Sequence, residues 1–359
     1  MSRDPARGLE RPLRIAQVAP PLEAVPPIGY GGTERIVAEL VRELDRRGHD
    51  VTTFASGDSH IPGRHVPTVP MALRPAGFGG DPESYLRQSA DLVLEHQAEF
   101  DLIHMHIDPV NADVARRARV PVAATFHGRL DQPWASAAFH DAPRGLVAIS
   151  RDQARAQPGI AWTVIHHGIT AEPPPLPETP GEELCFVGRI APEKGFLDAI
   201  EIARLTGRRL LVAAKAATRP IDKEYEETVI RPALGRADVT LLGELSVADR
   251  DRLVASCRAS VVPSAWPEPF GLVVIEALAC GTPVLARRAG AIPEILRDGI
   301  DGFIGDDAQQ LAFFDRRLDD LDRAAIRASA LERFSVRRMV DGYEALYRRL
   351  IAERAALTG

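Results

Sequence analysis

Residues 263 to 276 read PSAWPEPFGLVVIE, which places two carboxylates, Glu268 and Glu276, eight positions apart around a glycine that opens an apolar run. The strand-like ASVVPSA stretch comes just before. Pro267 and Pro269 keep the connection extended, so a helix is expected to begin near Phe270. The first turn of such a helix offers N–H groups with no partner inside the helix, here from Gly271, Leu272 and Val273, at its positive end. That is a seat for a diphosphate, and Gly271 has no side chain to block close approach. Glu268 lies in the loop before the seat and Glu276 more than a turn inside the helix, so the pair suits sugar hydroxyls on one side and ribose hydroxyls on the other. Taken alone, acidic residues at this spacing serve equally well in solvated or capping roles.

A diphosphate also needs cations. In VGRIAPEKG, residues 187 to 195, Arg189 follows a strand end and Lys194 precedes a helix, so both converge at the carboxyl edge of a sheet. Arginine contributes a planar fork and lysine a mobile point charge; the ordinary alternative is a surface pair. The loop Gly29-Tyr30-Gly31-Gly32 opens into a helix with Thr33 as expected N-cap, and its glycines permit backbone conformations and close approaches closed to other residues. His127 ends a strand-like PVAATF run and is expected to point into a cleft. His104 and His106, on one face of DLIHMH with Asp108 beyond, form a rival constellation; a strand-end role near an acceptor is favoured there over metal binding.

These residues need a scaffold that brings strand ends together. From Leu13 the chain alternates apolar β-rich runs (LRIAQVAP, DVTTFAS, DLIHMH, PVAATFH, GLVAIS, TVIHHGI) with helical patterns such as TERIVAELVRELDRRGH and ESYLRQSADLVLEHQ. The proline cluster AEPPPLPETP interrupts this at residues 171 to 180 and reads as a semi-rigid linker. The alternation then restarts with ELCFVGRI, RRLLVAAK, DVTLLGE, ASVVPSA and TPVLARR, and the chain ends in three helical segments. Sequential β and α units with apolar strands imply parallel sheets covered on both faces. The reading is an α/β chain with a Rossmann-like domain at 12–170, a linker at 171–180, a second Rossmann-like domain at 181–334 and a final helix at 335–357, the ligand site lying in a cleft.

Bulk properties agree. At 359 residues, 45% of them hydrophobic, the chain is long enough for two cores. A net charge of −6, with lysines and arginines spread along the chain, argues against nucleic acid as a partner. Cys185, Cys257 and Cys280 lack CxxC spacing and read as buried thiols of a reducing, cytoplasmic compartment. No apolar stretch is long enough to span a membrane, and the first ten or so residues lack a signal-peptide core and read as a loose tail.

The segment VVPSAWPEPFGLVVIEALACGTPVLARRAGAIPEILRDGIDGFI resembles the E-x7-E region of retaining glycosyltransferases of family 4, which have the GT-B architecture: two Rossmann-like domains with parallel sheets facing across a cleft. The resemblance extends over most of the chain. It implies that Glu268 holds hydroxyls of the transferred sugar and Glu276 the nucleotide ribose, with Phe270, Gly271, Leu272 and Val273 at the donor. VGRIAPEKG resembles the family's phosphate clamp, which gives Arg189 and Lys194 to the departing diphosphate. By the same resemblance Gly31 and Gly32 face the donor phosphates, His127 touches the donor sugar, Lys215 lies near the diphosphate or base, and Leu245 in the Gly243–Ser246 loop meets the base, favouring uracil. Tyr30 is an acceptor-contact candidate, and a solvated lysine is the equal alternative for Lys215. VIHHGI departs from the family's V-I-x-N-G pattern, with His167 in place of the usual asparagine.

The resemblance implies transfer of a hexose, with retention, from a nucleotide-diphosphate sugar to a hydroxyl of a sugar, glycolipid or small molecule; with no carboxylate placed as a nucleophile, front-face transfer is expected. No metal and no cofactor are expected, the final helix crosses back to the first domain, and the linker permits closure. Peripheral membrane contact through surface arginines stays open. A nucleotide-sugar epimerase or hydrolase on the same fold would consume donor without acceptor, and a non-catalytic binding protein would leave it intact.

Overall fold

The computed structural model describes residues 11–29, 31–215, 217 and 220–358; the N-terminal tail and Tyr30 lie outside the described residues. The chain divides into two compact units. One runs up to Ala148 and takes in Gly159–Ile165 and the chain from Met339 onward; the other comprises Ile149–Pro158 and His166–Arg338. Where the sequence ended the first domain at residue 170, the structure assigns Ile149–Pro158 and residues 166–170 to the second unit.

The first unit is built on seven strands, β1 (Arg14–Val18), β2 (Asp50–Ser56), β3 (Arg64–Val69), β4 (Leu102–Met105), β5 (Val122–Phe126), β6 (Leu146–Ala148) and β7 (Thr163–Val164). All are parallel, in the order β3-β2-β1-β4-β5-β6-β7. β3 escaped the sequence reading because RHVPTV carries an internal proline and is only partly buried. β7 is shorter than TVIHHGI suggested, so His166 and His167 lie beyond it. Ile15, Val18, Phe54, Leu102, Ile103 and Phe126 are fully buried, and Ile36, Leu40 and Leu44 of the Gly32–Arg46 helix are equally closed to solvent. That helix is capped by Gly31, without a side-chain cap, so Thr33 sits inside its first turn and does not cap it.

The second unit carries β8 (Leu184–Val187), β9 (Leu210–Ala213), β10 (Val239–Gly243), β11 (Ala259–Val262), β12 (Val284–Arg287) and β13 (Gly302–Gly305). These too are parallel, in the order β10-β9-β8-β11-β12-β13. Leu184, Phe196, Ile202, Leu210, Val261 and Leu285 lie in its core. In both sheets the strand order reverses beside the first strand, at β1/β4 and at β8/β11, and open α/β sheets bind ligands outside the strand ends at such switch points.

The last helix runs from Val336 to Thr358, and from Met339 it belongs to the first unit. Arg47 pairs with Asp341 at 2.7 Å and also with Glu344, while His49 Nε2 lies 2.8 Å from Glu344 Oε1. Tyr343 and Tyr347 are fully buried. Among the described residues no helix is long and apolar enough to cross a membrane.

Candidate active site

The loops that leave β8 and β11 carry the residues singled out as clamp and carboxylate. Strand β8 ends at Val187, Lys194 closes a short turn at Pro192–Lys194, and Gly195 then enters the Phe196–Thr206 helix at φ +69°. A Cβ on Gly195 would lie 2.5 Å from the carbonyl oxygen of Pro263, so the two loops touch where only glycine fits. Ser264 Oγ donates to the Glu193 carbonyl at 2.7 Å, and Lys194 Nζ lies 2.5 Å from Glu268 Oε1.

Phe270 is buried and packs on His167, with ring centroids 4.9 Å apart, and on Phe334 at 6.2 Å. The helix begins at Leu272, two residues later than the sequence suggested, because Gly271 adopts φ +98°, a left-handed conformation that a helix cannot continue through. Phe270 is therefore an anchor for the loop. The first turn is supplied by Leu272 and Val273, with no side-chain cap, and the Val274 N–H bonds back to the Gly271 carbonyl at 3.0 Å. Glu276 sits inside this helix and receives Arg250 Nη1 at 3.0 Å. Burial works against the Arg250 charge, but Glu276 and Asp251 outweigh it and raise its pKa.

Arg189 is committed on two sides, donating from Nη1 to Asp222 at 2.7 Å and from Nη2 to Glu193 at 2.5 Å. Asp222, Arg250 and Ser264 were not singled out from the sequence, since isolated polar residues in helical or loop text carry no spacing signal. Gly290 was also missed. Its φ is +55°, and a Cβ there would stand 2.4 Å from both the N and O atoms of Glu268, whose carbonyl accepts the Ala291 N–H at 2.9 Å. The RAGA run holding Gly290 lay in plain view as a turn signal, but nothing in it named Glu268 as its neighbour.

Lys215, half-buried, follows β9, and Leu245 follows β10; Ser246 caps the next helix by accepting the Asp249 N–H at 3.1 Å. Gly31 and Gly32 lie in the first unit, where a Cβ on Gly31 would come within 2.8 Å of Pro27 Cβ. His127 directly follows β5, and its Nε2 lies 2.9 Å from His106 Nδ1. Burial lowers the His127 pKa to about 3, so the ring is neutral at physiological pH. Asp108 accepts the His127 and Gly128 N–H groups at 3.0 and 2.9 Å, and burial nonetheless pushes its carboxyl up to about 7. Among the described residues no group of three or more His, Cys, Asp or Glu could hold a metal ion; His104 and His106 instead bond to Tyr347, Thr125 and Gln17. The three cysteines are buried and free.

Two doubly wound parallel sheets of this kind are those of the GT-B architecture, which the chain shares with solved glycosyltransferases. Residues 30–172 match the model of Glycosyltransferase Family 4 and residues 170–321 that of Glycosyl transferases group 1, and the chain belongs to this family. It is 30% identical to the D-inositol 3-phosphate glycosyltransferase of Mycolicibacterium smegmatis, over 98% of this chain and 94% of the relative. The crystal structure of AviGT4, a glycosyltransferase involved in avilamycin A biosynthesis, is 27% identical with a TM-score of 0.68, covering 95% of this chain and 98% of that one. The structure of HepE from Anabaena in complex with UDP-glucose shares the fold, with a TM-score of 0.67 at 20% identity over 96% and 99% of the two chains.

Proposed function

We propose that this glycosyltransferase moves a hexose from a nucleotide-diphosphate sugar, UDP-glucose or a related UDP-sugar, to a hydroxyl of its acceptor with retention of anomeric configuration. The observation that carries the reading is the joining of the β8 and β11 loops through Lys194 and Glu268, beside a helix whose first turn lacks a side-chain cap. A diphosphate at that turn would meet oriented N–H groups together with Arg189 and Lys194, which stabilise the charge that develops on the leaving group. Glu268 takes hydroxyls of the sugar and Glu276 those of the ribose. Gly31 and Gly32 admit the phosphates, Lys215 and Leu245 serve the nucleotide, and His127 takes a sugar hydroxyl. That HepE was captured with UDP-glucose supports the choice of donor.

The C1–phosphate oxygen bond breaks while the acceptor oxygen bonds C1 on the same face. The acceptor's proton passes to the departing phosphate oxygen. The cations needed are side chains, so turnover is expected to persist in EDTA. Thermal-shift screening against UDP-, GDP-, ADP- and dTDP-sugars, then mass spectrometry and NMR of products from an acceptor panel, tests the reading. An α-linked product from an α-configured UDP-sugar is expected. An inverted product, or donor consumed without acceptor, overturns it.

A further inference from the structure

The ring of His127 ends a hydrogen-bonded chain that runs through the first unit to the final helix. His127 Nε2 lies 2.9 Å from His106 Nδ1, His106 Nε2 lies 2.9 Å from Gln17 Oε1, and Gln17 Nε2 donates to the Tyr347 hydroxyl at 3.2 Å. That hydroxyl is 2.7 Å from His104 Nδ1. His104 Nε2 is 2.7 Å from Thr125 Oγ1, which lies 3.1 Å from the Tyr343 hydroxyl. Gln17, His104, Thr125, Tyr343 and Tyr347 are fully buried, and His106 is nearly so.

The polarity of the chain follows from Gln17, the member whose two ends differ chemically. Its amide nitrogen faces Tyr347, so its carbonyl oxygen receives the Nε2 proton of His106. A neutral His106 then has a bare Nδ1, and the contact with His127 is closed by the Nε2 proton of His127. In the other direction, Tyr347 accepts from Gln17 and gives its own proton to His104 Nδ1, which leaves His104 to donate from Nε2 to Thr125. Each donor along the path meets one acceptor.

The backbone of His127 is held separately. Asp108 Oδ2 accepts the N–H groups of His127 and Gly128, and Asn111 Nδ2 donates to Asp108 Oδ1 at 3.0 Å and to the Thr125 carbonyl at 2.8 Å. Asn111 Oδ1 accepts the Ile107 N–H at 2.7 Å. A Cβ on Gly128 would stand 3.3 Å from Asp108 Oδ2, so this grip is close-fitting.

We propose that Gln17, His106 and Asp108 are positioning residues for glycosyl transfer, fixing the His127 backbone and holding its ring with the proton on Nε2. The inference rests on the assignment of His127 to the transferred sugar. A ring held in this way has its orientation set before substrate arrives.

The full-length protein labelled with ¹⁵N-histidine provides the test, together with His106→Leu, which removes the acceptor, and His106→Asn, which returns an oxygen close to the Nδ1 position. In the wild type the His127 ring proton is expected on Nε2, coupled across the hydrogen bond to His106 Nδ1, and this coupling is lost in His106→Leu. With UDP-sugar and an acceptor, kcat of His106→Leu is expected to fall about 10- to 100-fold while donor KM changes little, and His106→Asn should recover most of the loss. Gln17→Met is expected to repeat the kcat loss and serves if His106→Leu does not fold. A His127 ring protonated on Nδ1 in the wild type overturns the proposal. So does wild-type turnover by folded His106→Leu when His127→Ala is impaired. Full activity of His127→Ala is the separate result that removes His127 from the sugar and the positioning role with it.

Discussion

Lys194 Nζ lies 2.5 Å from Glu268 Oε1, joining the loops that follow the adjacent strands β8 and β11. The two side chains, 25% and 16% exposed, neutralise each other. On the proposed reading they part company when donor binds, the lysine going to phosphate and the carboxylate to sugar. Glu268→Gln releases the lysine while keeping the side chain's shape. The variant is expected to bind UDP alone about two- to fivefold more tightly, the yield of dissolving a partly exposed pair worth about 0.5 to 1 kcal/mol. Its transferase kcat should fall. Calorimetric titration with UDP decides the first part, and unchanged or weaker UDP affinity would show that the pair does not compete with phosphate.

Gly290 stands behind Glu268. Any side chain there must adopt a left-handed φ of +55° and place its Cβ 2.4 Å from two backbone atoms of Glu268. Gly290→Ala should therefore push the Glu268 loop aside, lowering kcat/KM at least about tenfold, in line with the sensitivity of catalysis to displacements of about 1 Å. Steady-state kinetics, with circular dichroism to verify folding, measure it. Wild-type kcat/KM would mean that the loop carries no catalytic group.

The two βα series were legible from the alternation of apolar strand runs and helical patterns, β3 excepted, and so was the placing of Glu268, Arg189 and Lys194 in loops after strands, whereas the roles proposed for these three come from the family resemblance. What the sequence hid depends on contacts between distant segments. Gly290 acts on Glu268, Asp222 pairs with Arg189 from a separate helix, and Gln17 reaches His106 through the pairing of β1 with β4. The onset of the helix after Phe270 was misjudged for a local reason: a left-handed Gly271 caps it, and proline positions alone do not reveal that conformation. Thr33 was likewise displaced from its expected cap by Gly31.

Arg250 bears on the nucleotide side. Its side chain is 14% exposed, and its guanidinium meets both Glu276, at 3.0 Å, and Asp251, at 2.7 Å. Arg250→Gln deprives Glu276 of this cation and loosens the carboxylate assigned to ribose. Donor KM is expected to rise about tenfold, equivalent to about 1.4 kcal/mol, with kcat little changed, as for lost uniform binding. Kinetics with donor varied at saturating acceptor check it. A loss confined to kcat would place Glu276 on the reacting sugar instead.

Asp108 and His127 pull stability in opposite directions with pH. Burial raises the Asp108 pKa from 3.8 to about 7, so between those values the folded state binds more protons than the unfolded chain. Its contribution is full below about pH 3.8 and is lost as pH rises to about 7. Burial lowers the His127 pKa from 6.5 to about 3, so the unfolded chain binds more protons in that window, and its contribution is present above about pH 6.5 and lost on acidification. Each slope approaches about 1.4 kcal/mol per pH unit. Asp108→Asn keeps an acceptor for the His127 and Gly128 N–H groups but removes the titration. Relative to wild type, its unfolding free energy should therefore rise with pH by about 1 to 2 kcal/mol between pH 5 and 6.5, and His127→Gln should show the opposite trend. Urea titrations at the two pH values measure both differences. Parallel curves for wild type and Asp108→Asn would mean that the Asp108 carboxyl keeps its ordinary pKa in the folded protein.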